Sequence, residues 1–155
     1  MEKKKPIKRH KALQPLSRQH HFGLLFSWKL RKGFSKNIDP ERLQKYASWF
    51  FEKEIKPHFE AEEKYVFTVL KEENELIHRA LKEHRRIENL FKENENPEKS
   101  LRQLKQELDA HIRFEERILF NEIQKVATAS QLEKISEIHS ENPSRPEYPD
   151  PFWEN

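Results

Sequence analysis

His58-Phe-Glu-Ala-Glu-Glu-Lys-Tyr-Val-Phe67 and His111-Ile-Arg-Phe-Glu-Glu-Arg-Ile-Leu-Phe120 are nearly one sentence written twice, 53 positions apart. Both read His-x-x-x-Glu-Glu-basic-x-aliphatic-Phe. The His-x-x-x-Glu core alone is a weak signal, because roughly one of the eight histidines should meet a glutamate at i+4 by chance, and three do. Agreement across the whole decapeptide is much harder to reach by accident. On a helix, positions i and i+4 lie one above the other, so His58 with Glu62, and His111 with Glu115, each aim two donors at one spot. Both pairs also continue an apolar stripe, from Ala47, Phe51 and Ile55 in one case and from Leu104 and Leu108 in the other. They therefore face a core, where a carboxylate and an imidazole are costly unless they pair or coordinate a cation.

Working outward, these two helices need partners. A first helix is expected from about Pro15, with Leu16, Leu24, Leu25, Trp28 and Leu30 at near-helical spacing and Gly33 as its stop. Asp39-Pro40-Glu41 caps the second, whose inner stripe reads Leu43, Ala47, Phe50, Phe51, Ile55, Tyr65, Val66 and Val69. Pro57 lies inside it and cannot donate to the carbonyl of Lys53, which predicts a kink or local break. The third runs from about Glu73 to Lys92 on Leu76, Ile77, Leu81, Ile87, Leu90 and Phe91. The fourth follows Pro97 to about Ala127, with Leu101, Leu104, Leu108, Ile118, Leu119 and Ile123 on one side. Short connections between four such helices imply an all-α, up-down-up-down four-helix bundle, with a short extra C-terminal helix near Ser130 to His139.

Composition agrees. Apolar residues make up 34% of the 155-residue chain and charged ones 37%, with Gly 2 and Cys 0, which excludes sandwiches, barrels and Gly-rich phosphate-binding folds. Phe 11, Trp 3 and Tyr 3 supply a thin aromatic core that a disordered polar chain lacks. No apolar run approaches the roughly 18 residues of a membrane span, and no secretory h-region follows the basic start, so a cytoplasmic protein with no membrane partner is expected. Three regions result: a basic flexible arm over 1–12, the bundle over 13–141, and a Pro-rich aromatic tail over 142–155. The arm carries the excess charge on Lys3, Lys4, Lys5, Lys8, Arg9 and Lys11 but has no interleaved aromatics, so it reads as a solvated tail rather than a nucleic-acid binder. Tyr148, Phe152 and Trp153 in the tail either strap onto the bundle or a partner, or stay disordered.

Without cysteine, any bound metal must use histidine and carboxylate. The remaining two helices each offer a lone histidine at a core-facing position: His84, framed by Leu81 and Ile87, and His20 or His21, framed by Leu16 and Leu24. His20 is the better centred of that pair. Four imidazoles and two carboxylates suit first-row ions such as Fe, Mn or Zn better than Mg or Ca. Two carboxylates from opposite helices can each bridge two ions, leaving room for a solvent bridge and an exogenous ligand. His78 is rotated off this face and reads as a surface residue, while Glu63 and Glu116 read as outer partners or solvated groups.

At these residues the sequence resembles the hemerythrin-like (HHE cation-binding) domains, over about residues 13–141. The resemblance implies a non-haem di-iron centre, two iron ions with an oxo or hydroxo bridge, and handling of O2, nitric oxide or peroxide. It implies His20 or His21, His58, His84 and His111 as terminal ligands and Glu62 and Glu115 as bridges. Oxygen-carrying hemerythrins hold a second histidine one turn before the third-helix ligand, where this chain has Ala80, and place the fourth-helix carboxylate at i+5, where it has Glu116. Both departures point away from a dedicated carrier and toward the family's iron–sulfur-repair and nitric-oxide-responsive branch, whose cysteine-containing domain has no counterpart here. The leading expectation is a di-iron protein that binds or senses O2, nitric oxide or peroxide. The alternatives are a di-iron oxidase, peroxidase or nitric-oxide-handling or repair enzyme, and a metal-free helical interaction module. The redox partner, and the choice between monomer and homodimer, stay open.

Overall fold

The computed structural model describes residues 8–138 and 147–154. A short 3-10 turn, Lys11–Leu13, leads into α1 (Gln14–Ser35), and α2 (Pro40–Phe50) begins on the Asp39 cap, whose side chain accepts from the amide of Glu41. A π-helical turn over Phe51–Ile55 joins α2 to α3 (Lys56–Ala61), and a second π turn, Glu62–Val66, extends α3. Asn74 caps α4 (Glu75–Lys92), and Asn96 caps α5 (Pro97–Phe114). A third π turn, Glu115–Leu119, connects α5 to α6 (Phe120–Val126). Finally α7 (Ala129–Glu137) starts in a reciprocal capping box between Thr128 and Gln131. No strand occurs among the described residues.

α1 packs on α5 and α2, and α4 packs on α5 and α2, which closes a four-helix bundle. Its core falls into two apolar clusters. One holds Phe26, Leu30, Phe50, Ile87, Leu104 and Leu108; the other holds Leu16, Val66, Ile77, Phe114, Leu119 and Ile123. Each rod crosses from one cluster to the other at the same level, and that level is where the histidines and glutamates sit.

Several expectations change on this scaffold. The anticipated break at Pro57 is instead the π turn before it: the amide of Lys56 reaches the carbonyl of Phe51, five residues back, and the rod continues through the proline. Leu24, Leu25 and Trp28 lie on the outside of α1, and the inner positions are Leu16, His20, Gly23, Phe26, Ser27, Leu30 and Gly33. Small and polar residues on the true inner face had hidden it, since exposed leucines are common on folded surfaces. Ile118 is likewise exposed, because the π turn advances the inward position by one residue to Leu119.

Gly33 is not a stop. The helix ends two residues later, where Asn37 takes a left-handed φ of 57° and the amides of Ile38 and Asn37 return to the carbonyls of Gly33 and Phe34. Gly33 is small for contact: a Cβ there would lie 2.9 Å from the Phe152 ring and collide with Leu43. Tyr148, Phe152 and Trp153 thus strap the far end of the chain onto the bundle, with all three rings around Tyr46. Arg42 clips the strap through Asp150, Nε to Oδ2 at 2.7 Å. Phe152→Ala should cost about 3 kcal/mol by urea unfolding, as expected for truncating a buried phenylalanine.

Within the arm, Arg9 docks on the bundle and Ala12 is buried, as is Leu13 at the start of the bundle. Lys3, Lys4, Lys5, His139 and the boundary at 141–142 lie outside the described residues.

Candidate metal centre

At the level between the two apolar clusters, α1 contributes His20, α3 and the π turn after it contribute His58 and Glu62, α4 contributes His84, and α5 with its π turn contributes His111 and Glu115. All six are buried, both glutamates completely. Donor atoms of His20, His58, Glu62 and Glu115 lie within 4.8 Å of one another, and so do those of Glu62, His84, His111 and Glu115. The two groups share both carboxylates. His58 Nε2 and His84 Nε2 each stand 3.2 Å from Glu62 Oε1, while His111 Nε2 and His20 Nε2 stand 2.8 and 3.3 Å from Glu115 Oε1. Beyond these contacts with one another, the four Nε2 atoms and four carboxylate oxygens are buried without a hydrogen-bond partner. Native interiors rarely leave such groups unsatisfied.

The outward nitrogens are engaged in an ordered way. His58 Nδ1 faces Gln19 Oε1 at 2.6 Å, His84 Nδ1 faces Glu63 at 2.8 Å, and His111 Nδ1 faces Glu83 at 2.7 Å. Oxygen accepts here, so Nδ1–H donates and each Nε2 is turned inward, as a lone pair wherever the ring is neutral. The fourth contact, His20 Nδ1 to Glu116 Oε1, is 3.5 Å, longer than a well-formed hydrogen bond. Every outer partner is the sequence neighbour of an inner donor on a different rod. Gln19 precedes His20 and serves His58; Glu63 follows Glu62 and serves His84; Glu83 precedes His84 and serves His111; Glu116 follows Glu115 and serves His20. A neighbouring residue points about 100° around the helix, toward the adjacent rod. Preceding residues on up helices and following residues on down helices turn the same way about the bundle axis, so the four contacts form a closed ring.

The repeated decapeptide now has a local reason. In each copy a π turn begins at the buried glutamate, with the amide of Phe67 reaching Glu62 and that of Phe120 reaching Glu115. The added residue swings the closing phenylalanine onto the lone imidazole of the next rod. Phe67 lies 5.2 Å from the His84 ring, and Phe120 stacks on His20 at 5.3 Å. Each copy therefore gives one histidine its carboxylate partner and its aromatic cover.

Charges in the cluster are mutually adjusted. Burial pushes the Glu62 carboxyl well above the ordinary carboxylate range, and the charge of Glu115 pushes it further. Burial acts the same way on Glu115, but the charge of His111 together with hydrogen bonding from Glu62, His111 and His20 outweighs it and holds Glu115 well below that range. Burial alone would lower His111; Glu115 and Glu83 reverse this and push it up to about 9. Burial and the charge of His20 take His58 well down. Without a cation, protons on Glu62 and His111 thus moderate the repulsion of the buried carboxylates. A divalent ion would replace those protons.

His21 is exposed and belongs to neither four-residue group, which leaves His20 as the α1 member. His78 is exposed as well. Gln19 and Glu83 are the functional candidates that sequence reasoning missed. Their adjacency to His20 and His84 was the available signal, but it acquires meaning only once the order of rods around the axis is known. A narrow cavity reaches His20 and His58, lined by Gly23, Phe50, Ile55, Phe59, Leu108 and Ile112, with room for about one water-sized molecule. It touches neither His84 nor His111.

A family model described as the hemerythrin HHE cation-binding domain matches residues 16–98, more than half of the chain. That span contains His20, His58, Glu62 and His84 and ends before His111 and Glu115, which the fold brings to the same point. Neither the curated proteins nor the solved structures give a significant match. With the matched span, the all-helical bundle and a buried His/Glu cluster suited to a cation in agreement, the chain belongs to the hemerythrin HHE cation-binding family.

Proposed function

We propose that this protein holds two iron ions and binds or senses a small molecule of the O2, nitric oxide or peroxide class. His20 and His58 would hold one ion, His84 and His111 the other, and Glu62 and Glu115 would bridge them. The observation that carries this reading is the set of eight inward-facing buried donor atoms with no hydrogen-bond partner, divided into two groups that share both carboxylates. Such an arrangement is expensive for a folded chain unless a cation neutralises it. Imidazole with carboxylate suits first-row metals. Iron, when bound, supplies redox chemistry and an available coordination position for a diatomic ligand.

The chain's own part is positioning and exclusion. The outer ring of Gln19, Glu63 and Glu83 fixes three imidazole tautomers with Nε2 inward. Phe59 stacks on His84 at 3.7 Å and Phe67 covers the same ring, so the His84–His111 side is closed by aromatics. The His20–His58 side opens on the narrow cavity, mostly apolar but edged by Gln19 and Glu54, whose size suits a very small molecule. Ala80, where the oxygen carriers of the resemblance hold a further histidine, is fully buried in an apolar cluster of aliphatic and aromatic side chains. Each position thus faces two imidazoles, which supports a sensor or reactive centre over a dedicated carrier. No helix among the described residues is long and apolar enough to cross a membrane.

The test is metal analysis of protein loaded with ferrous iron under anaerobic conditions, followed by absorption spectra before and after exposure to air or to nitric oxide. Two irons per chain are expected, one for each four-residue group, with new visible bands on exposure. A folded protein that takes up no stoichiometric iron would overturn the proposal.

A further inference from the structure

The N-terminal segment that the sequence presents as a solvated arm reaches the cluster through Arg9. Its Nη1 donates to Asn121 Oδ1 at 3.2 Å and to Gln124 Oε1 at 2.9 Å, and Nη2 donates to the backbone carbonyl of Glu116. The same Nη2 lies 3.4 Å from Glu116 Oε2, which also accepts from Ser17 Oγ at 3.0 Å. The other carboxylate oxygen, Oε1, faces His20 Nδ1. The guanidinium also sits 5.3 Å from the centroid of Phe120, whose opposite relation is the stack on His20. Two routes, one through a carboxylate and one through a ring, therefore run from Arg9 to the same imidazole. Both contacts fall within or beside the π turn Glu115–Leu119, where a ladder returning from i+5 to i+4 spacing passes over one carbonyl. A guanidinium suits the task, because its planar fork can hold a carbonyl, two side-chain amides and a carboxylate together, as a lysine cannot.

His20 most needs such support. The other three cluster imidazoles have hydrogen bonds at Nδ1 of 2.8 Å or less, and its own contact is 3.5 Å. We propose that Arg9 is a positioning residue for the His20–His58 side of the centre, fixing Glu116 and Phe120 and through them the orientation of His20. The proposal rests on the metal-binding reading above and adds to it that the arm is part of the centre, acting on one of its two positions.

The 155-residue chain titrated with Co(II) alone separates the two ideas. Wild-type protein tests the metal reading first: it should bind two Co(II) ions, and failure to bind either would sink that reading and this one with it. Arg9→Ala should then weaken one of the two binding steps about 10-fold or more, the effect expected for losing an outer partner, and leave the other unchanged. Glu116→Gln should weaken the same step, and the double variant should lose no more than the larger single loss, because both act along one path. Arg9→Lys, which keeps the charge without the fork, should show a smaller loss. The proposal is overturned by equal weakening of both steps in Arg9→Ala, which a merely structural staple predicts. Unchanged affinities, or additive losses in the double variant, overturn it as well. Circular dichroism of each metal-free variant confirms that the comparison is between folded proteins.

Discussion

Removal of metal should lower the thermal unfolding midpoint by about 10–20 °C. An ion present at 100 times its dissociation constant stabilises the native state by about 2.7 kcal/mol, so two positions give about 5 kcal/mol, and a domain of this size gains about 2–4 °C per kcal/mol. Calorimetry of iron-loaded protein against protein treated with a chelator measures the difference. The sign follows from the cluster itself. In the metal-free state eight buried donors have no hydrogen-bond partner and the carboxylates of Glu62 and Glu115 repel each other. The strap and the α7 end are remote from this layer, so the loss should appear as a shift of the whole transition and not as a separate early melting step.

Substituting Glu62 should have the second largest effect, and its sign depends on the metal. Glu62 belongs to both four-residue groups, so Glu62→Leu should abolish uptake at both positions at once. In the metal-free protein the same change removes a carboxyl that is buried completely and held near a like charge, so it should be neutral or stabilising by about 1–2 kcal/mol. The variant should therefore unfold at or above the midpoint of chelated wild-type protein and gain nothing from added iron. A single-group ligand behaves differently: His20→Ala should leave one ion per chain, while His21→Ala, on the exposed face, should keep both. If Glu62→Leu still bound two ions, the bridging role assigned to Glu62 would be wrong.

The π turns connect fold to site. Three occur among the described residues; two begin at the candidate bridging glutamates, and the third precedes Pro57 and His58. A regular α-helix through Glu115 would have turned Ile118 inward and left Phe120 off the His20 ring. The extra residue in each decapeptide therefore serves the centre, giving the repeat a structural reason for ending in phenylalanine.

Much of the centre was legible because it is local. The pairs His58 with Glu62 and His111 with Glu115 depend only on helical spacing, and the cap at Asp39 follows from a side chain that satisfies a first free amide of the helix. The face of α1 was harder to read. Four of its inner positions are occupied by His20, Gly23, Ser27 and Gly33, residues suited to close approach and to the cluster, while Leu24, Leu25 and Trp28 sit outside.

Periodicity and the doubled motif determined by themselves that four rods would bury imidazole and carboxylate together, since hydrogen bonding within a helix makes the i to i+4 direction independent of the rest of the chain. Tertiary packing decided which neighbour each outward nitrogen meets, that His20 and not His21 turns inward, and that Arg9 and the Phe152 strap close onto the bundle. Those outcomes depend on the order and rotation of helices about a common axis, which arise from contacts between separate helices, from 21 positions apart at His84 to more than 100 at Arg9 and the strap.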